Sequence, residues 1–317
     1  MNAATPVVVL TGALGAGKTT LLGRYLADPA FARTAVVIDE LADLVVDPHL
    51  LSAAPGQVSR APCGRWTDAL RTLASSGRDF ERVIVEANGV ATPGRVVDDL
   101  AREEELALRF PLEGIVAAVD AAAGDAGLAD AHARAHAAGA DAIVLTKHDI
   151  ADARQVTALV GALTRLNPYA EILRGPGAAL ARESPWEAAR HAPGRELRRL
   201  QARVDDGELP QVGALCVRFA HAVELSGFCA RLGAFLEQHA AQVLRVKGLV
   251  RVEGRRGPAV IQAVSAVLYP VRTLKEWPAG VEESALLVAA RGIPDDELRV
   301  AIESAGASRR VAMKAKR

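Results

Sequence analysis

Short apolar runs alternate with helix-like stretches through roughly the first half of this 317-residue chain. The apolar runs are rich in Val, Ile, Leu and Ala and favour strands at residues 6–10, 34–38, 82–85, 114–119 and 142–145. Helical spacing of apolar residues favours helices at 20–27, 68–74 and 93–108. Buried strands separated by helices are typical of βαβ units. We therefore predict an α/β domain over residues 1–175, with a parallel sheet flanked by helices.

The pattern changes beyond residue 175. Proline and glycine recur at short intervals over residues 176–211, which predicts a linker that contains a helix and has loose ends. The next segment, 212–307, predicts a smaller α+β domain whose helices pack on one face of its sheet. Its expected strands are 213–220, 243–253, 259–268 and 284–290, and its expected helices are 226–240 and 295–305. The last segment, 308–317, carries five basic side chains and no acidic one, so it is either a solvated tail or a contact for a partner or for phosphate.

Composition narrows the class of protein. Half of the residues are hydrophobic and 24% are charged, so the chain can bury a core. Lys and Arg together number 38, as do Asp and Glu, which argues against a broad basic surface for nucleic acid or an anionic membrane. The three cysteines are too few and too widely spaced for a disulfide framework. Apolar runs are too short for a spanning helix, and the N-terminus lacks the basic start of a secretory signal. We expect a cytoplasmic protein.

A glycine-rich segment joins the first predicted strand to the first predicted helix. Residues 12–19 read GALGAGKT and fit GxxxxGK[ST] at every fixed position. In such a loop the backbone N–H groups cradle phosphate oxygens, Lys18 adds a positive charge and the Thr19 hydroxyl ligates Mg²⁺. The alternative is a glycine-rich turn with an incidental Lys-Thr pair. The predicted phosphate contacts are Gly12, Gly15, Ala16, Gly17, Lys18, Thr19 and Thr20.

A second motif follows the last predicted strand of this domain. Residues 146–149 read TKHD and resemble the guanine-reading NKxD sequence, with Thr146 in place of Asn. Guanine presents two neighbouring N–H donors on one edge, and an ionised Asp149 can accept both. The aliphatic part of Lys147 would lie along the base plane. The motif therefore predicts a preference for GTP and GDP over adenine nucleotides.

An acidic residue and a glycine follow the predicted strand 82–85. Glu86 is placed to hold Mg²⁺, directly or through water, or to orient an attacking water. Gly89 would let the backbone move near a γ-phosphate. The alternative is an acidic strand end followed by a turn glycine. No arginine finger is identifiable, so we expect slow intrinsic hydrolysis, with Lys18, Thr19, Glu86 and Gly89 as the catalytic set.

Together these motifs resemble the CobW-like GTPases. The resemblance extends beyond the GALGAGKTTLL loop, the Glu86 segment and the TKHD segment to four further stretches: LNP at 166–168, VLRVKGLV at 243–250, VIQ at 260–262 and WP at 277–278. It implies a P-loop NTPase domain that hydrolyses GTP, and a C-terminal domain that contacts a client protein. It also implies a link to metal delivery or cofactor assembly. A homodimer across the nucleotide faces is compatible with it.

Two departures bear on the metal. The family's CxCC motif is reduced to Arg60-Ala61-Pro62-Cys63, and its NEFGE segment reads DELAD at 39–43. A single thiolate does not make a structural zinc site, which normally needs four ligands. Cys63, Glu40 and Asp43 would form at most a weak mixed site for transfer of Zn²⁺ or Co²⁺. Without such a site, Cys63 is a lone thiol beside solvated acids.

Four other residues are weaker candidates. His132 and His136 are four residues apart, a spacing that suits a metal pair on one helix face, although an Ala-rich surface helix also carries such residues without function. Cys216 and Cys229 are expected to act as small hydrophobic residues in the second core.

Three functions stay open at this point. The first is a GTPase that couples its nucleotide state to delivery of a metal or metallocofactor into a client. The second is a GTP-dependent switch that remodels a partner surface without metal transfer, which the loss of two motif cysteines favours. The third is a P-loop kinase, which needs an acceptor site and usually lacks a TKxD segment.

Overall fold

The computed structural model describes residues 4–40, 58–62, 65–91, 93–167, 170–174, 213–264, 266–278, 283–290 and 292–306. These residues divide into two compact units, one up to Arg174 and the other from Gly213. The predicted linker 176–211 and the basic tail 308–317 lie outside the described residues, as do Asp43 and Cys63. Glu40 is described by its backbone alone. No helix within the described ranges is long and apolar enough to cross a membrane.

The first unit is built on a seven-stranded sheet in which all neighbouring strands run parallel. Its order is β3-β2-β4-β1-β5-β6-β7, so β1 lies in the middle between β4 and β5. The strands are β1 Val7–Thr11, β2 Thr34–Glu40, β3 Val58–Pro62, β4 Arg82–Glu86, β5 Leu112–Asp120, β6 Ala142–Thr146 and β7 Glu171–Arg174. The predicted α/β class with a parallel P-loop-type sheet is confirmed.

Helices connect these strands and cover the sheet. They are α1 Lys18–Leu26, α2 Trp66–Ser75, α3 Pro93–Ala101, α4 Glu104–Arg109, α5 Ala131–Gly139 and α6 Ala153–Leu166. Helix α1 buries Leu21, Leu22 and Tyr25 against apolar side chains of the central strands. Each such leucine contributes about 2 kcal/mol through the area it removes from water. The helix that follows the glycine-rich loop is therefore anchored firmly to the sheet.

The predicted elements differ from the observed ones at a few places. The predicted helix 93–108 is two helices, because Glu103 lies between them with non-helical dihedral angles and accepts a hydrogen bond from Arg71 of α2. Strands β3 and β7 and helix α6 were not predicted. β3 reads VSRAP and is an edge strand, where a charged residue and a proline are tolerated and weaken the apolar signal.

The second unit is an antiparallel sheet with two helices on one face, which confirms the predicted α+β class. The sheet order is β11-β10-β9-β13-β8, and β12 also pairs with β10. Its elements are β8 Gly213–Phe219, α7 Leu225–Gln238, β9 Val243–Val250, β10 Ala259–Val264, β11 Val267–Leu268, β12 Arg272–Thr273, β13 Ser284–Ala290 and α8 Asp295–Gly306. The predicted strand 259–268 is thus a hairpin.

The two cysteines of this unit have different surroundings. Cys229 packs against the core between the sheet and the helices, as predicted. Cys216 does not: Leu215 and Val217 point into that core, so Cys216 between them faces the other side of the sheet. Burial raises the pKa of both thiols. Both therefore stay in the less reactive protonated form at neutral pH.

One buried amide holds the end of α5 in place. Asn167 is 1% exposed. Its Nδ2 group donates to the carbonyl oxygens of Ala137, Ala138 and Ala140 at 2.7, 3.2 and 2.9 Å. Carbonyl groups at a helix C-terminus lack partners within the helix, so a buried terminus needs an external donor such as this one.

Replacing Asn167 by Asp is expected to destabilise the first unit. The carboxylate cannot donate and would place a negative charge against carbonyl oxygens at the negative end of the helix dipole. We expect the free energy of unfolding in urea to fall by about 2–4 kcal/mol at pH 7.5. Gln238→Glu is the matched control, because it makes the same amide-to-carboxylate change at the exposed end of α7. Equal unfolding midpoints for the two variants would contradict the anchoring role.

Candidate functional site

The carboxyl ends of four neighbouring strands bring the predicted residues to one edge of the sheet. The glycine-rich loop leaves β1 beyond Thr11, Glu86 ends β4, Asp120 ends β5 and Thr146 ends β6. In open parallel sheets, ligands bind outside the carboxyl ends of the strands, where connections leave in opposite directions. The predicted phosphate and base motifs therefore share this edge.

The loop conformation depends on glycine. Gly12, Gly15 and Gly17 have φ angles of 142°, 77° and 82°, which other residues rarely adopt. A Cβ atom at Gly12 would lie 2.4 Å from the carbonyl oxygen of Ala118 in β5. The loop can pass this close to the sheet only because that position carries no side chain.

Lys18 turns back over the loop that precedes it. Its Nζ donates to the carbonyl oxygens of Gly12 at 2.8 Å and Ala13 at 3.1 Å. Burial lowers the pKa of Lys18, and the nearby carboxylate of Glu86 raises it in part. The ammonium group thus lies at the loop interior with its donors directed at acceptors, where phosphate oxygens would be stronger partners.

Thr19 and Glu86, the two predicted Mg²⁺ ligands, lie next to each other. The Thr19 hydroxyl donates to Glu86 Oε1 at 2.6 Å, and Glu86 is buried. Mg²⁺ prefers oxygen ligands and is often held by only one or two protein groups together with phosphate and water. A hydroxyl and a carboxylate converging beside Lys18 therefore fit a Mg²⁺-nucleotide.

The segment after β4 is packed against the phosphate loop. A Cβ atom at Gly89 would lie 2.6 Å from the backbone nitrogen of Leu14. Asn88 Nδ2 donates to Asp39 Oδ2 at 2.7 Å, and Asn88 Oδ1 accepts from the backbone N–H of Ala91 at 2.8 Å. Asn88 thereby links this segment to the end of β2, a contact that sequence reasoning missed although Asn88 lies between Glu86 and Gly89.

Thr146 contacts the phosphate loop. Its hydroxyl lies 2.7 Å from the carbonyl oxygen of Ala16 and 3.1 Å from that of Val119, and it can donate its one hydrogen to these acceptors. Because the hydroxyl is buried against these carbonyls, it ties β6 to the loop. The residue that departs from the NKxD pattern therefore supports the loop structurally.

The TKHD segment borders a pocket of about 220 Å³. This volume is below the roughly 300–1,000 Å³ of sites for whole drug-sized ligands. Lys147 has a φ of 52°, unusual outside glycine, and its Nζ lies 2.6 Å from Asp120 Oδ2. The pocket is lined by Gly17, Thr20, Leu21, Arg24, Thr146, Lys147, His148, Asp149 and Ile150. Sequence reasoning missed Arg24 and Asp120. The only sequence signal for Arg24 is its position in the helix that follows the loop, and the only one for Asp120 is a polar residue at the end of a strand.

The predicted pair of histidines is not a pair in the structure. His132 is exposed, whereas His136 is 1% exposed and its two ring nitrogens contact Thr11 and Gly89. Both expectations, a metal pair and two surface histidines, are therefore wrong for His136. The alanine-rich sequence of α5 gave too little contrast between its faces to identify the buried one.

The predicted transfer-metal residues are described only in part. Glu40 pairs through its backbone with Pro62, the residue that precedes Cys63 in the sequence. Among the residues that the structure describes, no group of three or more His, Cys, Asp or Glu side chains could hold a metal ion. Asp43 and Cys63 lie outside that set.

Replacing Gly89 by Ala is expected to weaken binding of nucleoside triphosphate. The added methyl group would meet the backbone of the phosphate loop, so one of the two segments must shift. We expect the Kd of a non-hydrolysable GTP analogue to rise at least about tenfold, because a displaced segment would lose a hydrogen bond to a charged phosphate group.

Gly233→Ala is the control. It lies in α7, a Cβ atom there would have nothing within 4 Å, and Ala favours helix. Both Kd values follow from titration of a fluorescent GTP analogue. An unchanged Kd in the Gly89 variant would show that this segment does not bear on the nucleotide.

Sequence comparison places the two halves in known families. Residues 6–174 match the CobW/HypB/UreG nucleotide-binding domain, and residues 212–305 match the cobalamin synthesis protein CobW C-terminal domain. The zinc chaperone YjiA of Escherichia coli strain K12 is 25% identical over 311 residues, which cover 93% of this chain and 96% of the relative. The zinc chaperone CobW of a Sinorhizobium species is also 25% identical, over 89% of this chain and 91% of the relative.

The fold has a counterpart among solved structures. The Zn(II)-bound YjiA GTPase from E. coli superimposes with a TM-score of 0.65 at 23% identity, covering 96% of this chain and 99% of that one. The nucleotide-binding match alone takes in more than half of the chain, and the C-terminal match follows it in the expected order. The chain therefore belongs to the CobW family of P-loop nucleotide-binding proteins.

Proposed function

We propose that the protein is a slow GTPase that couples its nucleotide state to delivery of a transition metal into a client protein. The observation that carries the nucleotide half is the 2.6 Å hydrogen bond between the Thr19 hydroxyl and Glu86, beside the buried ammonium group of Lys18. These groups offer two oxygen ligands and one positive charge at the end of a glycine loop, a combination that suits Mg²⁺ and a triphosphate.

Each part of the loop has a task toward the phosphates. The backbone N–H groups of Gly15, Ala16 and Gly17 and the N-terminus of α1 favour negative charge. Lys18 exchanges the carbonyl oxygens of Gly12 and Ala13 for phosphate oxygens. Thr19 and Glu86 would hold Mg²⁺, which neutralises charge on the outer phosphates when bound. Thr20 follows at the start of the helix and lines the base pocket.

Hydrolysis would depend on positioning more than on covalent chemistry. Glu86 is placed to orient a water, and Gly89 lies against the loop where the third phosphate would reach. Glu86 ends β4, whose residues 83–86 pair with β1, and Gly89 follows three residues later. The proposed catalytic set supplies one cation, Lys18, so we expect turnover far below that of GTPases that receive an arginine from an activator.

Guanine would be read in the pocket beside α1. Asp149 lines it with a carboxylate that can accept both N–H groups of a guanine edge, and Lys147 provides an aliphatic wall. The ammonium group of Lys147 is bonded to Asp120, which holds that side chain in place. Selection of the base would therefore rest on Asp149.

Asp149→Asn is expected to move the base preference from guanine to xanthine. An amide offers one acceptor and one donor, which match the N–H and the C2 carbonyl of xanthine and not the paired donors of guanine. Thermal shifts with GTP, XTP and ATP, each with Mg²⁺, measure this directly, because a ligand stabilises the state it binds. We expect the wild type to prefer GTP over ATP by at least about tenfold, or about 1.4 kcal/mol.

Asp99→Asn on α3 is the matched control, since Asp99 is not among the pocket residues. It should keep the preference for GTP. Equal shifts with GTP and ATP in the wild type would overturn the proposed guanine specificity, and loss of all shifts in Lys18→Ala would support the loop as the binding site.

The metal half of the proposal is supported by similarity to zinc chaperones and by the pairing of β2 with β3. Curated relatives that align over most of the chain are zinc chaperones. The end of β2 brings the backbone of Glu40 opposite Pro62, and Cys63 is the next residue in the sequence. The Cys63 thiolate and the carboxylates of Glu40 and Asp43 would together bind Zn²⁺ or Co²⁺ weakly enough to release the ion.

A GTP-dependent switch without metal transfer is the second candidate. Residues 60–63 read RAPC and retain a single cysteine, so the ligand set is poorer than a CxCC motif would provide. In this case the nucleotide would shift the Gly89 segment and so change a surface offered to a partner.

Metal titration separates these two candidates. If the protein delivers metal, we expect submicromolar binding of Zn²⁺ or Co²⁺ in one nucleotide state, measured by competition with a chromophoric chelator, and its loss in Cys63→Ala. Cys216→Ala removes a thiol from the second unit and should leave binding unchanged. Weak binding in both the GDP state and the GTP-analogue state would instead favour the plain switch.

A further inference from the structure

A buried histidine outside the known motifs joins two parts of the nucleotide site. His136 lies on α5 with 1% of its surface exposed. Its Nδ1 atom is 2.7 Å from the Thr11 hydroxyl, and its Nε2 atom is 3.2 Å from the carbonyl oxygen of Gly89. A buried polar ring usually has its hydrogen-bonding groups satisfied, and here both nitrogens have a partner.

The partners determine which nitrogen carries the proton. The carbonyl oxygen of Gly89 can only accept, so Nε2 must carry the hydrogen and donate. In the neutral ring, Nδ1 is then an acceptor, and the Thr11 hydroxyl donates to it. The neutral ring with hydrogen on Nε2 satisfies both contacts at once. A second proton on Nδ1 would force the Thr11 hydroxyl to direct its hydrogen elsewhere.

The two partners lie at either side of the phosphate loop. Thr11 is the last residue of β1, immediately before Gly12. Gly89 lies against the backbone of Leu14, in the same loop. The imidazole ring therefore fixes the start of the loop relative to the segment that would face the third phosphate.

The helix that carries the ring is itself held firmly. Asn167 binds the carbonyl oxygens of Ala137 and Ala138, the two residues that follow His136. At the other end of α5, Asp130 caps the helix by accepting hydrogen bonds from the backbone of His132 and Ala133. Because both ends of α5 are fixed, we expect the ring to hold the Gly89 carbonyl group in place and not to move with it.

We propose that His136 is a positioning residue that holds Gly89 where it can contact a γ-phosphate, so that the protein distinguishes GTP from GDP. This inference rests on the proposed nucleotide function. His136 does not touch the nucleotide. It acts through the carbonyl group of Gly89, and the backbone of Gly89 makes the contact.

Burial, together with nearby positive charges, favours the neutral ring. Burial lowers the pKa of His136 below its ordinary value, and the positive charges of Lys18 and His132 lower it further. The bond to Gly89 and the charge of Asp130 raise it in part. Because the net shift is downward, the neutral form persists throughout the range above the ordinary histidine value of about 6.5. Acid below that value protonates the unfolded chain first, so the stability that the neutral ring provides is lost on the acid side.

The test compares Kd values for GDP and for a fluorescent non-hydrolysable GTP analogue at pH 7.5. His136→Leu removes both hydrogen bonds and should raise the Kd of the GTP analogue by roughly three- to tenfold, as expected for one lost positioning contact, with the Kd of GDP within about twofold of wild type. His136→Gln keeps a neutral donor for Gly89 and should restore most of the discrimination. His132→Leu and His132→Gln make the same changes at the exposed histidine of α5 and should leave both constants unchanged.

The outcomes separate the inference from the function on which it rests. If wild type binds neither nucleotide, the proposed function fails. If wild type discriminates and a folded Leu variant discriminates equally well, or loses GDP and GTP analogue alike, the positioning role is wrong. Should the Leu variant not fold, Thr11→Val removes one anchor without changing shape and must reduce discrimination. A loss of discrimination between pH 8 and 7 in wild type that is absent in His136→Gln would also contradict the neutral bridge.

Discussion

The site depends on the contact between Thr19 and Glu86. These residues are distant in sequence, and they meet because β1 and β4 run side by side and in register, with Leu10 paired to Glu86. The glycine loop then returns the chain so that Thr19, in the first turn of α1, faces the end of β4. The same register brings Lys18, which follows β1, and the Gly89 segment, which follows β4, to one edge of the sheet.

Much of this arrangement could be predicted from the sequence, because it follows from local rules. The glycines at 12, 15 and 17 meet φ values that other residues avoid, and the apolar runs at β1, β4 and β5 are long enough to indicate buried strands. The parallel sheet and the loop at its edge follow from these two signals. Edge elements such as β3 gave no such signal, since half of an edge strand faces solvent and carries mixed residues.

The contacts that sequence could not provide are those between distant segments with ordinary composition. In the sequence, Thr146 is a departure from the NKxD motif. In the structure, its hydroxyl donates a hydrogen bond to the carbonyl oxygen of Ala16. His136 looks like a surface histidine in an alanine-rich helix, and it is buried. Each of the two side chains contacts a backbone carbonyl group, which the sequence does not single out as a partner. Side-chain types reveal chemistry, whereas backbone partners depend on the packing of the whole unit.

The position of β3 at the margin of the sheet bears on how the proposed metal site would respond to the proposed nucleotide. Two strands separate β3 from β1, so at about 4.8 Å per strand the chain entering Cys63 starts roughly 14 Å from the phosphate loop. The ends of these intervening strands, β2 and β4, are linked, because Asn88, two residues beyond β4, donates to Asp39, the second-last residue of β2. A displacement of the Gly89 segment would therefore pull on the end of β2 through one amide–carboxylate bond. A metal ion bound beyond β3, as proposed, would then respond to this movement through the adjacent strand β2.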